Sequence, residues 1–425
     1  MNKSNPKTSS DNYDVVVVGA GFSGMYLVKK LRDLGLNFVI LEQGGDVGGT
    51  WYWNRYPGAR CDIPTVEYSY SFDKELEQSW DWQELMAAQP EILTYANQVA
   101  DNYDLRDAMR FNTRVASADF DENENSWTVV TDTGDEYLAR YFIMATGCLS
   151  VPNWPDIEGR EDYAGRTIHT GLWPHEKVDF TGLRVGIIGT GSSAVQSIPE
   201  IAATAKQLKV FQRTPVYTFP AGNHALDDDF RADIKARYED IRETQRGSLG
   251  GMAMFGVMGR LQEVGTEKIA DCSEEEREQR LVEEGLPSLR RYADVGLDLE
   301  ANEMACDLYR RHIADIIDDP ETAKALMPRG YPMGCKRQVV DIGYYEAFNR
   351  DNVSLIDLRE DPIERINESG VCTVGGQHDV DVLIYATGFD AMTGAINNVS
   401  ITGRSGTKLK DKWENGPRSY LGLQI

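Results

Sequence analysis

Two glycine-rich phrases in this chain have the spacing that binds a dinucleotide. The first is Gly19-Ala20-Gly21-Phe22-Ser23-Gly24, which follows the valine-rich run 14–18 and opens an amphipathic helical pattern. Glycines at these positions let the backbone turn sharply, admit a pyrophosphate and let the helix pack against the strand, while the helix N-terminus offers N–H groups to the phosphates. Residues 37–41 form a second predicted strand that ends at Glu42, and an acid about 20 positions after the glycines can bind ribose hydroxyls. The candidate cofactor residues are therefore Gly19, Gly21, Gly24 and Glu42, and the alternative is a structural turn followed by an incidental acid.

The second phrase is Gly189-Thr190-Gly191-Ser192-Ser193-Ala194, which follows the predicted strand 183–188. The next predicted strand, 208–212, ends at Arg213 and Thr214, where an acid would favour NAD. An arginine at this place accommodates a 2′-phosphate instead. We therefore predict NADPH as the coenzyme, bound by Gly189, Gly191, Ser192, Ser193, Arg213 and Thr214.

Two further segments are dense in glycine, aromatic and polar residues. Residues 48–62 are too rich in glycine and large aromatics to form a simple helix or strand, so this segment should wrap a flat ligand. Residues 163–174 place a tyrosine, a glycine, a histidine and a Trp-Pro pair ahead of the second glycine phrase. Taken alone, the first segment is also compatible with a packed surface loop, and the second with a turn, a core histidine and a packed aromatic.

Both segments resemble motifs of the Baeyer–Villiger monooxygenases, flavin enzymes that insert an oxygen atom next to a ketone carbonyl. The usual first residue of that family's fingerprint is Phe, and Tyr163 keeps an aromatic ring at this position. The matching fingerprint residues are Tyr163, Gly165, His169, Trp173 and Pro174, and the matching residues of the earlier motif are Gly48, Gly49, Trp51, Tyr56, Pro57, Gly58 and Asp62.

The resemblance implies two cofactors and a reaction. FAD would bind the N-terminal unit, with Gly49, Thr50 and Trp51 along the flavin and Asp62 close to the isoalloxazine ring. NADPH or NADP+ would bind the second unit. Hydride transfer from NADPH to FAD, followed by reaction with O2, would give a C4a-peroxyflavin that attacks a small-molecule ketone and yields an ester or lactone.

The resemblance also assigns roles to residues outside the glycine phrases. The negative charge that develops in such a reaction requires a fixed cation, and the family's catalytic arginine falls at Arg337, with Asp62 to orient it. Lys336 would reach the 2′-phosphate, and His169 with Trp173 would couple domain position to cofactor position. Adjacent basic residues such as Lys336 and Arg337 are, by themselves, more often surface features.

The elements that position these residues predict an α/β fold with two Rossmann-like dinucleotide-binding domains. Strands 141–145 and 380–385 each end in Ala-Thr-Gly, a phrase typical of the crossing between domains in flavoproteins that bind two dinucleotides. A small antiparallel sheet is predicted within 112–140, and the apolar segment 250–259, with Met252, Met254 and Met258, is interpreted as packing. The predicted domains are FAD-binding 1–148 and 386–425, NADP-binding 149–224 and 327–385, and a helical insertion at 225–326. Because members of the family continue beyond the position of Ile425, we expect the FAD-binding part to be truncated and the chain to be incomplete for catalysis.

Bulk composition excludes several classes of partner. A net charge of −24 over 425 residues disfavours binding to nucleic acid or to an anionic membrane, because polyanions repel one another. The six cysteines include no Cys-x-x-Cys pair, which excludes the usual zinc and redox-dithiol spacings. We expect a cytoplasmic protein with reduced thiols and no metal, as a monomer or weak homo-oligomer.

Three alternatives remain at this point. A flavin monooxygenase that acts on nitrogen or sulfur shares both glycine phrases but lacks the motif with Trp51 and Asp62, and usually the Trp173-Pro174 ending. A disulfide reductase would need the missing cysteine pair. A truncated flavin-binding protein without turnover would keep the same glycines.

Overall fold

The computed structural model describes residues 11–248, 265–337 and 339–422. The segment 250–259, with Met252, Met254 and Met258, lies outside these residues. The chain divides into two compact units. The first comprises the described residues up to Asn54, Ile92–Asn153 and the described residues from Gly388 onward, and the second comprises Arg55–Glu91 and the described residues of Trp154–Thr387.

Both units combine β-strands with α-helices. The strands are β1 (Asp11–Val18), β2 (Phe38–Leu41), β3 (Met109–Arg110), β4 (Val115–Asp121), β5 (Ser126–Thr131), β6 (Glu136–Met144), β7 (Arg166–His169), β8 (Arg184–Ile188), β9 (Gln207–Gln212), β10 (Thr218–Pro220), β11 (Val339–Asp341), β12 (Val353–Asp357), β13 (Ile363–Asn367), β14 (Gly370–Thr373), β15 (Gly376–Asp379), β16 (Val382–Tyr385) and β17 (Ser400–Thr402). The α-helices are α1 (Phe22–Asp33), α2 (Thr50–Trp53), α3 (Lys74–Ser79), α4 (Gln89–Asn102), α5 (Ser192–Ala202), α6 (Asp228–Gly247), α7 (Glu274–Glu284), α8 (Leu299–Ile316), α9 (Pro320–Leu326), α10 (Gly394–Asn397) and α11 (Leu409–Lys412). Short 3-10 helices occupy Leu105–Ala108, Arg160–Asp162, Thr170–Leu172, Ile269–Asp271, Leu286–Arg291, Glu346–Asn349 and Arg404–Gly406.

The first unit is built on a sheet of order β17-β4-β5-β6-β1-β2-β3. Strands β3, β2, β1 and β6 run parallel, whereas β6, β5 and β4 form an antiparallel meander. The valine-rich strand β1 lies inside the parallel part, where Val15, Val16 and Val17 are buried. This burial is typical of a parallel strand covered on both faces.

One predicted boundary inside this sheet is wrong. The sequence pattern predicted a meander strand ending at residue 140 and a separate strand at 141–145, but a single strand, β6, covers both. Its first residues pair antiparallel with β5 while residues 137–144 pair parallel with β1. No turn interrupts the strand because its two edges serve two different neighbours at once.

The second unit holds a parallel sheet of order β12-β9-β8-β16-β7. A parallel pair, β10 and β11, and an antiparallel sheet of β13, β14 and β15 accompany it. Helices α6 to α9 form the predicted helical insertion, and buried residues of α8 share one hydrophobic core with β8, β9 and α5. The predicted α/β fold with two Rossmann-like sheets and a helical insertion is confirmed.

Candidate active site

The first glycine turn is packed so tightly that side chains are excluded. Gly19 has a φ of +107°, and a Cβ there would lie 2.6 Å from the carbonyl oxygen of Ala145. A Cβ at Gly24 would overlap the carbonyl oxygen of Gly19. The N-terminus of α1 is thereby held directly against the end of β1, which is the arrangement that presents backbone N–H groups to a pyrophosphate.

Glu42 is bound into this turn by backbone donors. Its Oε2 accepts the N–H of Ala20 and its Oε1 accepts the N–H of Gly44, both at 2.6 Å. Burial raises the pKa of Glu42, and these two N–H groups oppose part of the rise. A carboxylate offers about four lone-pair sites, so acceptor capacity remains for ribose hydroxyls. This geometry fits the predicted role of Glu42.

The start of the aromatic loop lies beside the same turn. Gly49 has a φ of +53°, and a Cβ there would lie 2.8 Å from the Cα of Gly21. Thr50 and Trp51 follow immediately as the first residues of α2, and Trp51 is buried. The structure therefore brings Gly49, Thr50 and Trp51 to the first glycine turn, where the resemblance expects the flavin nucleotide.

The second unit repeats the glycine turn with space left in front of the helix. Gly189 has a φ of +109°, and a Cβ there would lie 2.5 Å from the carbonyl oxygen of Ala386. A Cβ at Gly191, the residue before α5, would meet nothing within 4 Å. The hydroxyl of Thr190 donates to the carbonyl of Thr214 at 3.0 Å and ties the turn to the end of β9. This open cradle, at the N-terminus of an 11-residue helix, fits a second dinucleotide.

The predicted phosphate-binding cations lie on the surface of this unit. Arg213 follows β9 and is exposed, and within the described part of the chain it makes no ion pair. Lys336 is also exposed, and its Nζ lies 4.5 Å from the ring centroid of Tyr331. Both charges are therefore accessible to an anion.

Asp62 and Arg337 form an ion pair within the second unit. The guanidinium Nη2 of Arg337 donates to the Oδ2 of Asp62 across 275 positions of sequence. The Arg337 side chain is 64% exposed, whereas that of Asp62 is only 21% exposed. A largely buried carboxylate is thus paired with an arginine whose side chain remains mostly exposed.

The loop that carries Asp62 is fitted closely onto α5. Gly58 has a φ of +77°, and a Cβ there would overlap the backbone oxygen of Gln196. Burial raises the pKa of Tyr56 to about 12, Ser193 lowers it by a hydrogen bond, and Asp62 raises it further by its charge. Burial also raises the pKa of Cys61 to about 12, so this thiol is neutral at physiological pH.

His169 lies at the centre of the fingerprint and is 1% exposed. Its Nδ1 accepts the N–H of Gly171 at 3.0 Å, which leaves Nε2 to carry the proton and face the hydroxyl of Thr387 at 3.3 Å. Trp173 is buried and its ring centroid lies 6.2 Å from that of Phe180. The fingerprint therefore places His169 against Thr387, a residue of the second Ala-Thr-Gly phrase.

The departure at the first fingerprint position also has a structural explanation. The hydroxyl of Tyr163 donates to the carbonyl of Val380 at 3.0 Å, and burial raises the pKa of Tyr163 to about 12. A Cβ at Gly165 would overlap the Tyr163 ring. The extra hydroxyl is accommodated because it has a buried acceptor.

Sequence reasoning missed two residues that contact this site. Gln196 lies on α5 and is 3% exposed, and its Oε1 accepts the Tyr56 hydroxyl at 3.0 Å. Thr387 faces His169. The available signal was a glutamine on the buried face of an amphipathic helix, because buried polar side chains require partners.

Comparison with known proteins identifies the family to which this chain belongs. A protein of Pseudooceanicola batsensis described as a Baeyer–Villiger monooxygenase is 41% identical over 428 residues, which is 99% of this chain and 76% of that protein. The chain belongs to the Baeyer–Villiger monooxygenase family. The resemblance stated from the two motifs is confirmed.

A solved structure and a family model also match this Baeyer–Villiger chain. The solved structure of an oxidized steroid monooxygenase bound to NADP is 48% identical, has a TM-score of 0.89, and is matched over 98% of this chain and 79% of that one. The sequence model of a broader family, described as pyridine nucleotide-disulphide oxidoreductase, matches residues 16–254.

A third relative shows that this similarity extends to another substrate class. A protein of Lysobacter antibioticus described as a phenazine N-monooxygenase is 39% identical over 420 residues, which is 97% of this chain and 76% of that protein.

Within the described residues, no helix is both long enough and apolar enough to cross a membrane.

Proposed function

We propose that this chain is an FAD- and NADPH-dependent monooxygenase that inserts one atom of O2 next to a ketone carbonyl and releases an ester or lactone. The observation that carries the proposal is the Asp62–Arg337 ion pair, formed in a chain that also has two dinucleotide turns. Reduced FAD, when bound, supplies the electrons that activate O2. The residues of this chain bind the two nucleotides and supply the fixed cation.

The surroundings of the predicted nucleotide-binding residues support the following assignments. We assign the first nucleotide to the turn at Gly19, Gly21 and Gly24, where Glu42 keeps free lone pairs for the ribose. We assign the NADPH pyrophosphate to the turn that ends at Ser192 and Ser193, and its 2′-phosphate to Arg213, Thr214 and Lys336. The two basic side chains are exposed, which supports this assignment because a phosphate must reach them from solvent.

Arg337 is assigned the electrostatic role in the oxygenation step. A ketone carbonyl under nucleophilic attack gains negative charge on its oxygen, and a donor fixed in advance stabilises that charge at little cost of reorganisation. Asp62 keeps the guanidinium in one orientation through a charge-assisted hydrogen bond, while the other N–H groups of Arg337 are left for the reacting oxygen. We further assign to His169 and Trp173 the coupling of domain position to cofactor position, which the contact of His169 with Thr387 supports.

The proposed domains follow the nucleotide that each part binds. We propose FAD-binding residues 1–148 and 386–425, NADP-binding residues 149–224 and 327–385, and an insertion at 225–326. By packing alone, Arg55–Glu91 cluster with the second unit, so part of the proposed FAD-binding domain is supported by NADP-unit residues. We also propose a cytoplasmic location, supported by free thiols as expected in a reducing compartment, at Cys61, Cys148, Cys272, Cys306, Cys335 and Cys372. We propose in addition that the protein is a monomer or weak homo-oligomer.

The test is a substrate panel with NADPH and O2. Linear, cyclic and aromatic ketones should consume NADPH and give products that have gained one oxygen atom by mass spectrometry. A second candidate activity, N-oxygenation, is favoured by the likeness to the phenazine N-monooxygenase. An N-heteroaromatic arm in the same panel separates the two: N-oxide without any ester or lactone would assign the second activity and reject the first.

A further inference from the structure

The loop that carries Arg337 is clasped by a buried asparagine of the helical insertion. Asn302 lies on α8 and is 5% exposed. Its Nδ2 donates to the carbonyls of Met333 at 3.0 Å and Val295 at 2.8 Å. Its Oδ1 accepts the N–H of Met333 at 3.0 Å and the thiol of Cys306 at 3.4 Å. The amide therefore uses both donor hydrogens and both lone pairs. Two of these four hydrogen bonds are made to the backbone of Met333.

This clasp fixes one side of the arginine loop, and a strand pair fixes the other. Met333 precedes Arg337 by four residues, and β11 begins two residues after Arg337, where Val339 pairs with Thr218 of β10. Because Asn302 bonds both the N–H and the C=O of Met333, it fixes the orientation of the loop backbone as well as its position. An apolar side chain of similar volume could fill the space but would leave the buried N–H and C=O of Met333 without these partners.

A second buried carboxamide holds the loop that carries Asp62. The Nε2 of Gln196 donates to the carbonyl of Arg60 at 3.3 Å. Its Oε1 accepts the hydroxyl of Tyr56 at 3.0 Å and the N–H of Arg60 at 3.4 Å. Arg60 precedes Asp62 by two residues. The two partners of the ion pair thus stand on separate loops, each bound through its backbone by one buried amide.

We propose that Gln196 and Asn302 are positioning residues that set the Asp62–Arg337 pair for oxygenation. The catalytic consequence rests on the proposed function, whereas the holding of the two loops does not. The inference also gives the helical insertion a role that its sequence does not suggest, because α8 supplies the residue that fixes the arginine loop.

The test measures loop order and coupling in the full FAD-loaded chain. Hydrogen–deuterium exchange in Asn302→Leu should become about tenfold faster within 331–337, because about one net hydrogen bond per peptide group is lost, and should stay unchanged within 55–62. Gln196→Met should show the reverse pattern. In both variants, oxygenated product per NADPH oxidised should fall about tenfold or more, while NADPH oxidation itself continues.

A matched control separates positioning from general stability. Asn352 also bonds two backbone carbonyls, those of Ala202 at 2.9 Å and Ala205 at 2.8 Å, at the far end of α5 from Ser193. Asn352→Leu should lower the melting temperature without changing exchange in either loop or product per NADPH. Asn302→Asp provides a conservative variant: its product per NADPH should recover as the pH falls, because a protonated carboxyl can again donate to a carbonyl.

The outcomes are distinct. Equal acceleration of 331–337 in Asn302→Leu and Asn352→Leu would overturn the clasp, and faster exchange with normal product per NADPH would overturn the positioning role. A wild-type chain that oxygenates no ketone would reject the proposed function, and the exchange measurements would then still decide whether the carboxamides hold the loops.

Discussion

Replacing Arg337 should abolish activity at little cost to the stability of the fold. Its side chain is 64% exposed and pairs with a carboxylate that is 21% exposed. Exposed ion pairs contribute about 0.2 to 1 kcal/mol to folding. For a chain of this size, Arg337→Ala should therefore lower the melting temperature by less than about 4 °C.

The same substitution should nearly abolish oxygen transfer. Removal of one preorganised donor at a developing negative charge costs about 10²-fold or more in rate. Hydride transfer from NADPH makes no such demand on Arg337, so the variant should still bind FAD and oxidise NADPH. Oxygen consumption should continue while ester or lactone disappears, and hydrogen peroxide should take its place as the product.

Two further variants define what Arg337 supplies. Arg337→Lys should recover little, because an ammonium on a flexible stem cannot reproduce a planar guanidinium held by Asp62. The matched control is Arg291, which pairs with Glu284 in the helical insertion with exposed fractions of 47% and 35%. Arg291→Ala should match the small change in melting temperature and keep full product yield.

The assay measures NADPH, O2, peroxide and product in one reaction mixture. Normal ester or lactone per NADPH in Arg337→Ala would refute the reasoning and leave Arg337 as a surface residue beside Lys336. A large decrease in melting temperature would refute the claim that the ion pair contributes little to stability, because it would show a contribution much greater than its exposure allows.

Three other substitutions test the nucleotide turns and the fingerprint. Arg213→Ala should raise the KM for NADPH by about tenfold to 100-fold, since a hydrogen bond to a charged group contributes about 1.5 to 3 kcal/mol, and equal losses with NADH would contradict the assigned phosphate contact. Gly24→Ala should lose FAD and lower the melting temperature. Its control, Gly296→Ala, should bind FAD stoichiometrically, because a Cβ at Gly296 would meet nothing within 4 Å. If both variants retain FAD, the claim that the first glycine turn excludes side chains is wrong. Tyr163→Phe should cost about 1 kcal/mol of stability by leaving the carbonyl of Val380 without its donor, and calorimetry would show this with product yield unchanged.

The fold was predictable wherever the signal was local. In each unit, an apolar run, a glycine turn and an amphipathic helix follow one another within a short stretch of sequence. This local pattern is enough to predict a nucleotide-binding turn. Strand β6 (Glu136–Met144) was predicted as two strands because its neighbours on either side come from different parts of the chain. The packing of Arg55–Glu91 with the second unit follows from contacts such as Gly58 against Gln196, which no periodicity reports.

The site was predictable to a different depth. The residue types of the glycine turns predict their ligands from backbone geometry alone, but Asp62 and Arg337 are separated by 275 positions, and only the family resemblance joined them. Gln196 and Asn302 were not predicted because they bond to backbone groups of other segments. Every residue has a peptide group, so the sequence does not indicate which one a side chain will bond.

The two Ala-Thr-Gly phrases can nevertheless be explained physically. In the first unit, Ala145 donates its N–H to Val18 at 2.8 Å, and its carbonyl oxygen occupies the space that a Cβ at Gly19 would need. In the second unit, Ala386 donates to Ile188 at 2.9 Å, and its carbonyl oxygen does the same at Gly189. Each phrase thus follows a strand that pairs beside the first strand of its nucleotide turn and makes the opening glycine obligatory. The opening glycine and the later Ala-Thr-Gly phrase are therefore linked sterically in both units, because the alanine carbonyl leaves no room for a side chain at the glycine.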